Sequence, residues 1–314
     1  MNADLRARLI ADAAAGNRVA ERLLLLMLVA AGDNDEIAAM LARIADTGHR
    51  RFVEAELCCF HSWPRELPWQ DALRQCAAQG HGEARAVVTI YDAWGWDDWQ
   101  PPEWSPVVAD KELRVERSAE FAPPILVNTV RNLLGPQLRP SAVIDPDTGK
   151  PVAHPVRINQ CAQWYPEHLG WVGKLFEKRL AAAGGFEVSH GEVPSLLHYT
   201  PGQRYKAHLD CISDKQAESP EGLAQGGQRT LTILLALGDD GYEGGETWFP
   251  QVGAGAKAAA GRLLRFNNTG DDGQALRSSL HAGQPITAGE NWLLSKWVRE
   301  RETPYGREIC LGSS

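Results

Sequence analysis

The chain has 314 residues, of which 44% are hydrophobic and 23% are charged, and its formal net charge is −8. This length favours two domains, and the hydrophobic fraction is sufficient for packed cores. The negative charge excludes a general electrostatic attraction to nucleic acid or to an anionic membrane.

The cysteine pattern predicts a reducing, cytoplasmic setting. None of the six cysteines belongs to a C-x-x-C pair, and the adjacent Cys58 and Cys59 suit buried helix positions better than a disulfide framework. The apolar stretch 23–31 begins too late for a targeting signal and is too short to span a bilayer. It therefore predicts a core helix, and neither a membrane nor a nucleic acid is an expected partner.

A degenerate repeat runs through the first hundred residues. Gly16, Gly48 and Gly80 each lie 32 residues apart, and helical patterns separate them. A glycine after each helix would supply a left-handed cap, and two helices per unit at this period predict an α-solenoid. The stretch 5–95 resembles Sel1-like repeats of the tetratricopeptide class. That resemblance implies either a protein partner on the concave face or helices that only buttress the next domain.

A tryptophan-rich stretch follows, with Trp94, Trp96, Trp99 and Trp104 inside eleven residues. Prolines and acidic residues prevent a helix here, and the rings need cover. The stretch is interpreted as a cap on the solenoid or a seam between domains, in preference to a ligand surface. It places the domain boundary around residues 100–115.

Beyond this boundary the sequence predicts helices at 125–138 and 168–183, and a turn at 146–149. Short strands then dominate, and glycine-rich turns separate them. The predicted strands are 195–199, 205–210, 230–237, 246–250, 261–267, 278–282 and 291–298. This pattern predicts an antiparallel sandwich or barrel of the jelly-roll type.

The strand 205–210 ends in His208-x-Asp210. Side chains two residues apart on a strand point to the same face, so an imidazole and a carboxylate lie side by side. With a second histidine they would form the 2-His-1-carboxylate triad of non-haem Fe(II) oxygenases. This short pattern is common by chance, so its weight depends on the motifs that follow it.

Five ordered motifs over about residues 120–300 resemble the prolyl 4-hydroxylase family of 2-oxoglutarate/Fe(II) dioxygenases. They are Tyr199-x-x-Gly202-Gln203-x-Tyr205-x-x-His208-x-Asp210, Arg229-x-x-Thr232-x-Leu234-x-x-Leu237, Gly244-Gly245-Glu246-Thr247-x-Phe249-Pro250, Leu264-x-Phe266-x-Asn268, and Ser279-Leu280-His281-Ala282-Gly283-x-Pro285-Ile286-x-x-Gly289. Trp292 and Trp297 match the closing strand of that family.

The resemblance implies Fe(II), 2-oxoglutarate and O₂ as cofactor and co-substrates, with ascorbate as a further candidate. His208, Asp210 and His281 would be the metal ligands and the catalytic centre. Tyr199 and Thr232 match positions that hydrogen-bond 2-oxoglutarate. Trp297 matches a position that lines the pocket.

One position departs from the family pattern. Ten residues after the distal histidine the family places a lysine or arginine that pairs with the far carboxylate of 2-oxoglutarate, and here that residue is Asn291. Lys296 lies an odd number of residues away on the same strand, so it would face the opposite side.

Three explanations follow from this departure. The first expectation is a basic replacement from another strand, with three candidates: Lys206, Arg229 and Arg265. Alternatively, Tyr199 and Asn291, together with Thr232, hold the co-substrate weakly. In the third explanation the chain uses another co-substrate or has lost turnover.

The fold class predicted is α+β with two domains. An N-terminal α-solenoid of Sel1-like repeats covers residues 1–110, and a double-stranded β-helix (jelly-roll) oxygenase domain covers residues 111–314. The predicted function is hydroxylation of an unactivated C–H bond, first of all in a prolyl residue of a protein or peptide. The alternatives are a tailoring hydroxylase of a free amino acid or small metabolite, and a non-catalytic solenoid adaptor with a vestigial oxygenase domain.

Overall fold

The computed structural model describes residues 3–61, 63, 67–108, 110–144, 151–153, 157–213, 216–218, 222–238 and 241–310. Helices dominate the N-terminal region and strands the C-terminal region, so the fold class is α+β. The turn predicted at 146–149 lies outside the described residues.

The chain divides into two compact units. The first comprises Met1–Trp99, Tyr165–Leu180 and Tyr305–Ser314, and the second comprises Gln100–Trp164 and Ala181–Pro304. The domain boundary at residue 110 stays a prediction.

The described helices fall mostly in the first hundred residues. Their bounds are α1 Ala3–Ala14, α2 Arg18–Ala31, α3 Asn34–Arg43, α4 Thr47–His61, α5 Trp69–Ala78, α6 Gly82–Trp94, α7 Pro124–Leu134, α8 Pro166–Gly184 and α9 Pro304–Cys310. No helix of the described residues is long and apolar enough to cross a membrane.

The 32-residue period corresponds to helix pairs, but its three glycines do not share one conformation. Gly16 and Gly80 have positive φ angles of 87° and 95° and lie between helices, as predicted for caps. Gly48 lies inside the first turn of α4, which begins at Thr47, so the prediction of a cap there is wrong. The physical reason is that Asp46 accepts a hydrogen bond from the backbone N–H of His49 at 3.0 Å and starts the helix early.

His81 caps α6 and begins a buried chain of hydrogen bonds in the first unit. Its Nδ1 accepts from the N–H of Ala84 at 3.2 Å, so in the neutral ring Nε2 carries the proton. That Nε2–H points to Nδ1 of His49 at 3.1 Å, and the Nε2–H of His49 donates to Glu21 at 2.7 Å. The buried imidazole and carboxylate are therefore satisfied inside the helical unit.

Residues 165–180 also belong to this first unit and place buried side chains on its helices. The Trp171 ring lies 5.5 Å from that of Phe52 and 5.7 Å from that of Trp69, and its Nε1 donates to the hydroxyl of Tyr91 at 3.2 Å. Lys174 donates to Glu56 at 3.0 Å. This part of α8 therefore covers helices of the unit.

Three residues of the tryptophan-rich stretch lie in the first unit as well. The Trp96 ring stacks on Tyr91 with centroids 4.4 Å apart, and the Arg179 guanidinium lies 4.6 Å from the Trp94 ring and 4.9 Å from the Trp99 ring. Tyr91 and Arg179 of the same chain therefore cover these rings, as the cap interpretation requires.

The second unit is rich in short strands. Their bounds are β1 Trp104–Val108, β2 Val115–Glu120, β3 Arg139–Pro140, β4 Ala142–Ile144, β5 Pro151–Ala153, β6 Arg157–Ile158, β7 Gln160–Gln163, β8 Ser195–Tyr199, β9 Arg204–His208, β10 Arg229–Ala236, β11 Glu243–Gly244, β12 Thr247–Phe249, β13 Ala254–Ala256, β14 Arg262–Asn267, β15 His281–Gly283, β16 Ile286–Ala288 and β17 Asn291–Arg299.

Among the described residues the strands form two larger sheets and two small ones. The eight-stranded sheet has the order β1-β2-β14-β10-β17-β8-β7-β3, and the five-stranded sheet has the order β13-β12-β15-β9-β6. Their strand pairs are antiparallel. Phe249 and Phe266 are fully buried and pack edge to face with centroids 5.2 Å apart. The predicted antiparallel architecture agrees with this arrangement, and its assignment to the jelly-roll type stays a prediction.

Candidate metal centre and co-substrate cavity

Three predicted site residues converge at the junction of β9 and β15. His208 ends β9, and His281 begins β15 directly opposite it in the antiparallel register. Asp210 follows two residues after His208, beyond the end of β9, although the sequence predicted it on that strand. The ligand atoms of the three side chains all lie within 4.8 Å of one another.

The distances leave the two imidazoles and the carboxylate facing one point. Nε2 of His208 lies 3.4 Å from Oδ1 of Asp210, and Nε2 of His281 lies 3.6 Å from Oδ2. We call these three residues the metal triad. Two nitrogens and one carboxylate oxygen are a donor set that fits Fe(II) and leaves coordination positions open.

Backbone carbonyls hold both histidines in the tautomer that a metal needs. Nδ1 of His208 lies 2.8 Å from the carbonyl oxygen of Lys206, and Nδ1 of His281 lies 2.9 Å from that of Ser279. Since a carbonyl can only accept, Nδ1 carries the proton in each neutral ring. The lone pair of Nε2 is then directed at the common point.

Burial and charge favour the metal-binding protonation states of Asp210 and His281. Burial alone would raise the pKa of Asp210, but His281, His208 and Thr232 outweigh it and hold that pKa well below its usual range. Burial lowers the pKa of His281, although the carboxylate of Asp210 opposes this effect. A charged carboxylate and a neutral imidazole are the forms that ligate metal ions.

Thr232 holds the carboxylate of the triad, and its predicted hydrogen bond to 2-oxoglutarate stays a prediction. Its hydroxyl donates to Oδ2 of Asp210 at 2.6 Å and accepts from Nδ2 of Asn268 at 2.8 Å. A hydroxyl has one proton, so in this arrangement Thr232 has none to donate to 2-oxoglutarate. Sequence reasoning missed the role of Asn268, although its alternation with Phe266 indicated an inward position.

A β-bulge brings Tyr205 to the metal triad. Tyr205 and His208 are three residues apart and would face opposite sides of a regular strand, yet both line the same cavity. The register between β9 and β15 shifts here, since His281 pairs with His208 and Gly283 pairs with Tyr205. The rings of Tyr205 and His208 stack with centroids 3.5 Å apart.

The triad opens into a cavity lined by both larger sheets. Residues from β8, β10 and β17 form one wall, and residues from β9, β12 and β15 form the other. Its polar lining includes Ser195, Tyr199, Tyr205, Thr232, Thr247, Gln284, Asn291, Ser295 and Trp297. The structure thus brings Tyr199, Thr232, Asn291 and Trp297 together with the triad, as predicted.

Asn291 and Trp297 present buried polar atoms to this cavity. Asn291 is 3% exposed and lies opposite Tyr199 in the register of β17 and β8. Its Oδ1 and the Nε1 of Trp297 have no hydrogen-bond partner among the described residues. Buried polar atoms are nearly always paired in native proteins. Both atoms are therefore suited to a bound polar ligand.

Arg229 does not line the cavity, in contrast to its predicted contact with the co-substrate. Its Nε and Nη2 donate to the carboxylate of Glu192 at 2.7 and 2.8 Å, and its guanidinium lies 3.6 Å from the centre of the Trp297 ring. Its Nη1 donates to the backbone carbonyl of Asp210 at 3.3 Å. Arg229 is thus positioned behind the metal triad and the tryptophan.

The other basic candidates also lie outside the cavity. Arg265 pairs with Glu116 at 2.8 Å and lies over the ring of Trp104, while Lys206 is exposed. Lys296 is buried beside Gly191. A Cβ atom added to Gly191 would lie 2.5 Å from Nζ of Lys296. The alternation of β17 therefore places Lys296 away from the cavity, which confirms that expectation.

The comparisons with known proteins agree with this site. The model of the 2OG-Fe(II) oxygenase superfamily matches residues 194–299. Prolyl 4-hydroxylase 1 of Arabidopsis thaliana is 32% identical over 219 residues, which cover 64% of this chain and 71% of that protein. Prolyl 4-hydroxylase subunit alpha-1 of Gallus gallus is 27% identical over 215 residues, covering 68% of this chain but 39% of that protein.

A solved structure of a viral collagen prolyl hydroxylase from Paramecium Bursaria Chlorella virus-1 is also similar. It is 22% identical, with coverage of 59% of this chain and 95% of that chain and a TM-score of 0.43. A likeness at this TM-score supports no structural argument of its own.

The family model and the site together define an enzyme that uses Fe(II), 2-oxoglutarate and O₂. The chain belongs to the prolyl 4-hydroxylase family of the 2OG-Fe(II) oxygenase superfamily. It is a dioxygenase of the prolyl hydroxylase type.

Proposed function

We propose that the chain hydroxylates a prolyl or other residue of a protein or peptide, with Fe(II) bound by the metal triad. The observation that carries this proposal is the convergence of His208, Asp210 and His281 with both Nε2 atoms directed at one point. The similarity to the prolyl 4-hydroxylases of Arabidopsis thaliana and Gallus gallus supports a prolyl substrate class by analogy.

The bound Fe(II), with 2-oxoglutarate and O₂, would supply the oxidising power for insertion of oxygen into a C–H bond, while 2-oxoglutarate becomes succinate and CO₂. The protein contributes geometry. Thr232 fixes the carboxylate of Asp210 through a hydrogen bond, and the carbonyls of Lys206 and Ser279 fix the imidazoles. Tyr205 covers one face of His208 and limits the approach of water from that side.

Arg229 and Glu192 would act as positioning residues. Their bidentate ion pair holds the guanidinium against the Trp297 ring and against the backbone of Asp210. Arg299 donates to the same carboxylate at 3.1 Å. Such contacts orient the residues that touch the metal and the co-substrate, while Arg229 and Glu192 themselves would touch neither.

The metal assignment is tested by anaerobic titration of Fe(II) with 2-oxoglutarate, following the visible charge-transfer band. We expect one Fe(II) per chain, and His208→Ala or His281→Ala should abolish the band. His190→Ala is the matched control, because His190 does not line the cavity, and it should bind normally. Normal iron uptake by both triad variants would overturn the assignment.

The substrate class is tested by succinate formation with a proline-containing peptide and with free proline. Faster turnover with the peptide supports the proposal. Turnover with the free amino acid alone favours the tailoring-hydroxylase alternative. Absence of turnover with either, despite bound Fe(II), favours the non-catalytic adaptor.

We also propose that the helical pairs α1–α6 form an α-solenoid of Sel1-like repeats, and that the strand-rich unit is a double-stranded β-helix of the jelly-roll type. The helix pairs that follow the 32-residue period support the first assignment, and the two antiparallel sheets around one cavity support the second. The free thiols of the six cysteines support a cytoplasmic location.

For the helical unit we propose that the helix surface around Phe52 and Glu56 is covered by the chain itself and not by a protein partner on the repeats. Residues 165–180 place Trp171 and Lys174 on the helices, with contacts to Phe52 and Glu56. Helix surface covered in this way is not available to another chain.

A further inference from the structure

We infer that Asn291 and Tyr199 form an uncharged clamp for the end of the co-substrate that points away from the metal. Recognition of that end would depend on hydrogen bonds and not on an ion pair. The inference rests on the proposed function, because it assumes a 2-oxo acid bound at the metal triad. We call the two residues the neutral clamp.

Strand register places the neutral clamp at the end of the cavity remote from the triad. Thr232, which donates to Asp210, pairs with Trp297 on β17. Asn291 lies six residues further along the same face of that strand, where it pairs with Tyr199 on β8. Both residues of the clamp line the cavity and are buried, with exposures of 3% and 6%.

The described lining of this cavity contains no lysine or arginine that could supply a positive charge. Arg229 is engaged by Glu192, and Arg265 by Glu116. A dianionic co-substrate would therefore receive no cation for its far carboxylate from the described lining, and burial of an unpaired charge is costly.

The amide of Asn291 can both donate and accept hydrogen bonds, whereas a lysine side chain can only donate them. It carries two N–H donors and a carbonyl acceptor, and its Oδ1 is buried without a hydrogen-bond partner among the described residues. A carboxylate can only accept, so it would use the donors and leave this oxygen unpaired. A carboxamide donates and accepts, so it can satisfy both ends of the side chain.

The predicted consequence is that the site distinguishes only weakly between a charged and an uncharged group at the far end of the co-substrate. A site with a lysine should prefer 2-oxoglutarate strongly over its analogue with a carboxamide at the far end. A site with the neutral clamp should bind the two within about tenfold of each other, which is 1.4 kcal/mol. Asn291 thus becomes the residue that sets co-substrate specificity.

The test measures dissociation constants by calorimetry on the full chain loaded with Mn(II), which accepts the same nitrogen and oxygen ligands without turnover. The probes are 2-oxoglutarate and its far-end carboxamide. In the wild type we expect a ratio of dissociation constants below about tenfold. In Asn291→Lys, 2-oxoglutarate should bind at least about tenfold tighter and the carboxamide at least about tenfold weaker.

Asn291→Leu is the matched control, because it keeps the approximate volume and removes donors and acceptor together. It should weaken both ligands by about tenfold, whereas a purely structural role of the amide would leave both affinities unchanged. A wild-type preference for 2-oxoglutarate of about tenfold or more would overturn the neutral clamp alone. Failure of the wild type to bind Mn(II) would overturn the metal site and the proposed function beneath it.

Discussion

At the scale of single residues, the metal triad depends on groups that do not touch the metal. Thr232 is 1% exposed, and its proton is committed to Asp210. Outer groups of this kind orient the ligating carboxylate, and their loss typically costs about 10–100-fold in metal affinity.

We therefore expect Thr232→Val, which has a similar shape but no hydroxyl, to bind Fe(II) about 10–100-fold more weakly. Thr232→Ser keeps the hydroxyl and should retain affinity near that of the wild type. Anaerobic equilibrium titration with Fe(II) measures both variants. Equal affinity in the valine variant would show that the hydrogen bond to Asp210 does not position the ligand.

The sequence predicted which residues form the site better than it predicted the hydrogen-bond partners of those residues. The ordered motifs placed His208, Asp210 and His281 together, and the alternation of β17 correctly directed Lys296 away from the cavity. The hydrogen bonds of Thr232 to Asp210 and of Arg229 to Glu192 were not predicted, because such partners depend on how distant strands face each other. Spacing along one strand carries no such information.

At the scale of elements, helix starts and strand irregularities were the least predictable features. The period of 32 residues indicated the helix pairs, but Gly48 lies inside α4 because Asp46 starts that helix. The bulge that turns Tyr205 towards His208 likewise follows from the pairing with β15. Both depend on local competition for hydrogen bonds, which a regular periodicity does not encode.

Helix α6 should respond to pH through its cap, His81. Burial, followed by the neighbouring His49, lowers the pKa of His81 below its ordinary value of 6.5. The other charged groups around it are Glu83, Asp46 and Arg18. As the pH falls through 6.5, the unfolded chain takes up this proton before the folded chain does, so the free energy of unfolding decreases.

We expect His81→Asn, which keeps an acceptor for the helix cap, to lose less stability than the wild type between about pH 7.5 and 5.5. Urea unfolding at the two pH values measures the difference. His281 also has a lowered pKa but is present in both proteins, so the comparison isolates His81. An unchanged pH dependence would contradict this role of the cap.

Residues 165–180, which cover helices of the first unit, should contribute strongly to the free energy of unfolding. Trp171 is 2% exposed and contacts the rings of Phe52 and Trp69. Trp171→Ala should lower the free energy of unfolding by about 3–5 kcal/mol, as expected for deletion of a fully buried aromatic side chain. Chemical denaturation measures this loss, and a change below about 1 kcal/mol would show that the helices do not need this cover.

At the scale of the whole molecule, the first unit consists of segments far apart in sequence. A fragment 1–110 contains the helices α1–α6 but lacks Trp171 and Lys174. We expect a helical circular-dichroism spectrum from this fragment, with thermal unfolding at a lower temperature than in the full chain. A β-rich or wholly disordered spectrum would contradict the proposed solenoid.

This segmented composition also has a consequence for synthesis on the ribosome. Tyr305 is buried in the first unit, where its hydroxyl donates to Glu177 at 2.9 Å. Helices α1–α6 leave the ribosome before residues 165–180 and 305–310 do, so their unit cannot be complete until residue 310 has been translated. At about 5–20 residues per second, residues 100–304 alone delay completion by roughly 10–40 s. Until Trp171 has emerged, the apolar surface around Phe52 and Trp69 is exposed to chaperones and proteases, and the surface that Tyr305 covers stays exposed for the whole interval.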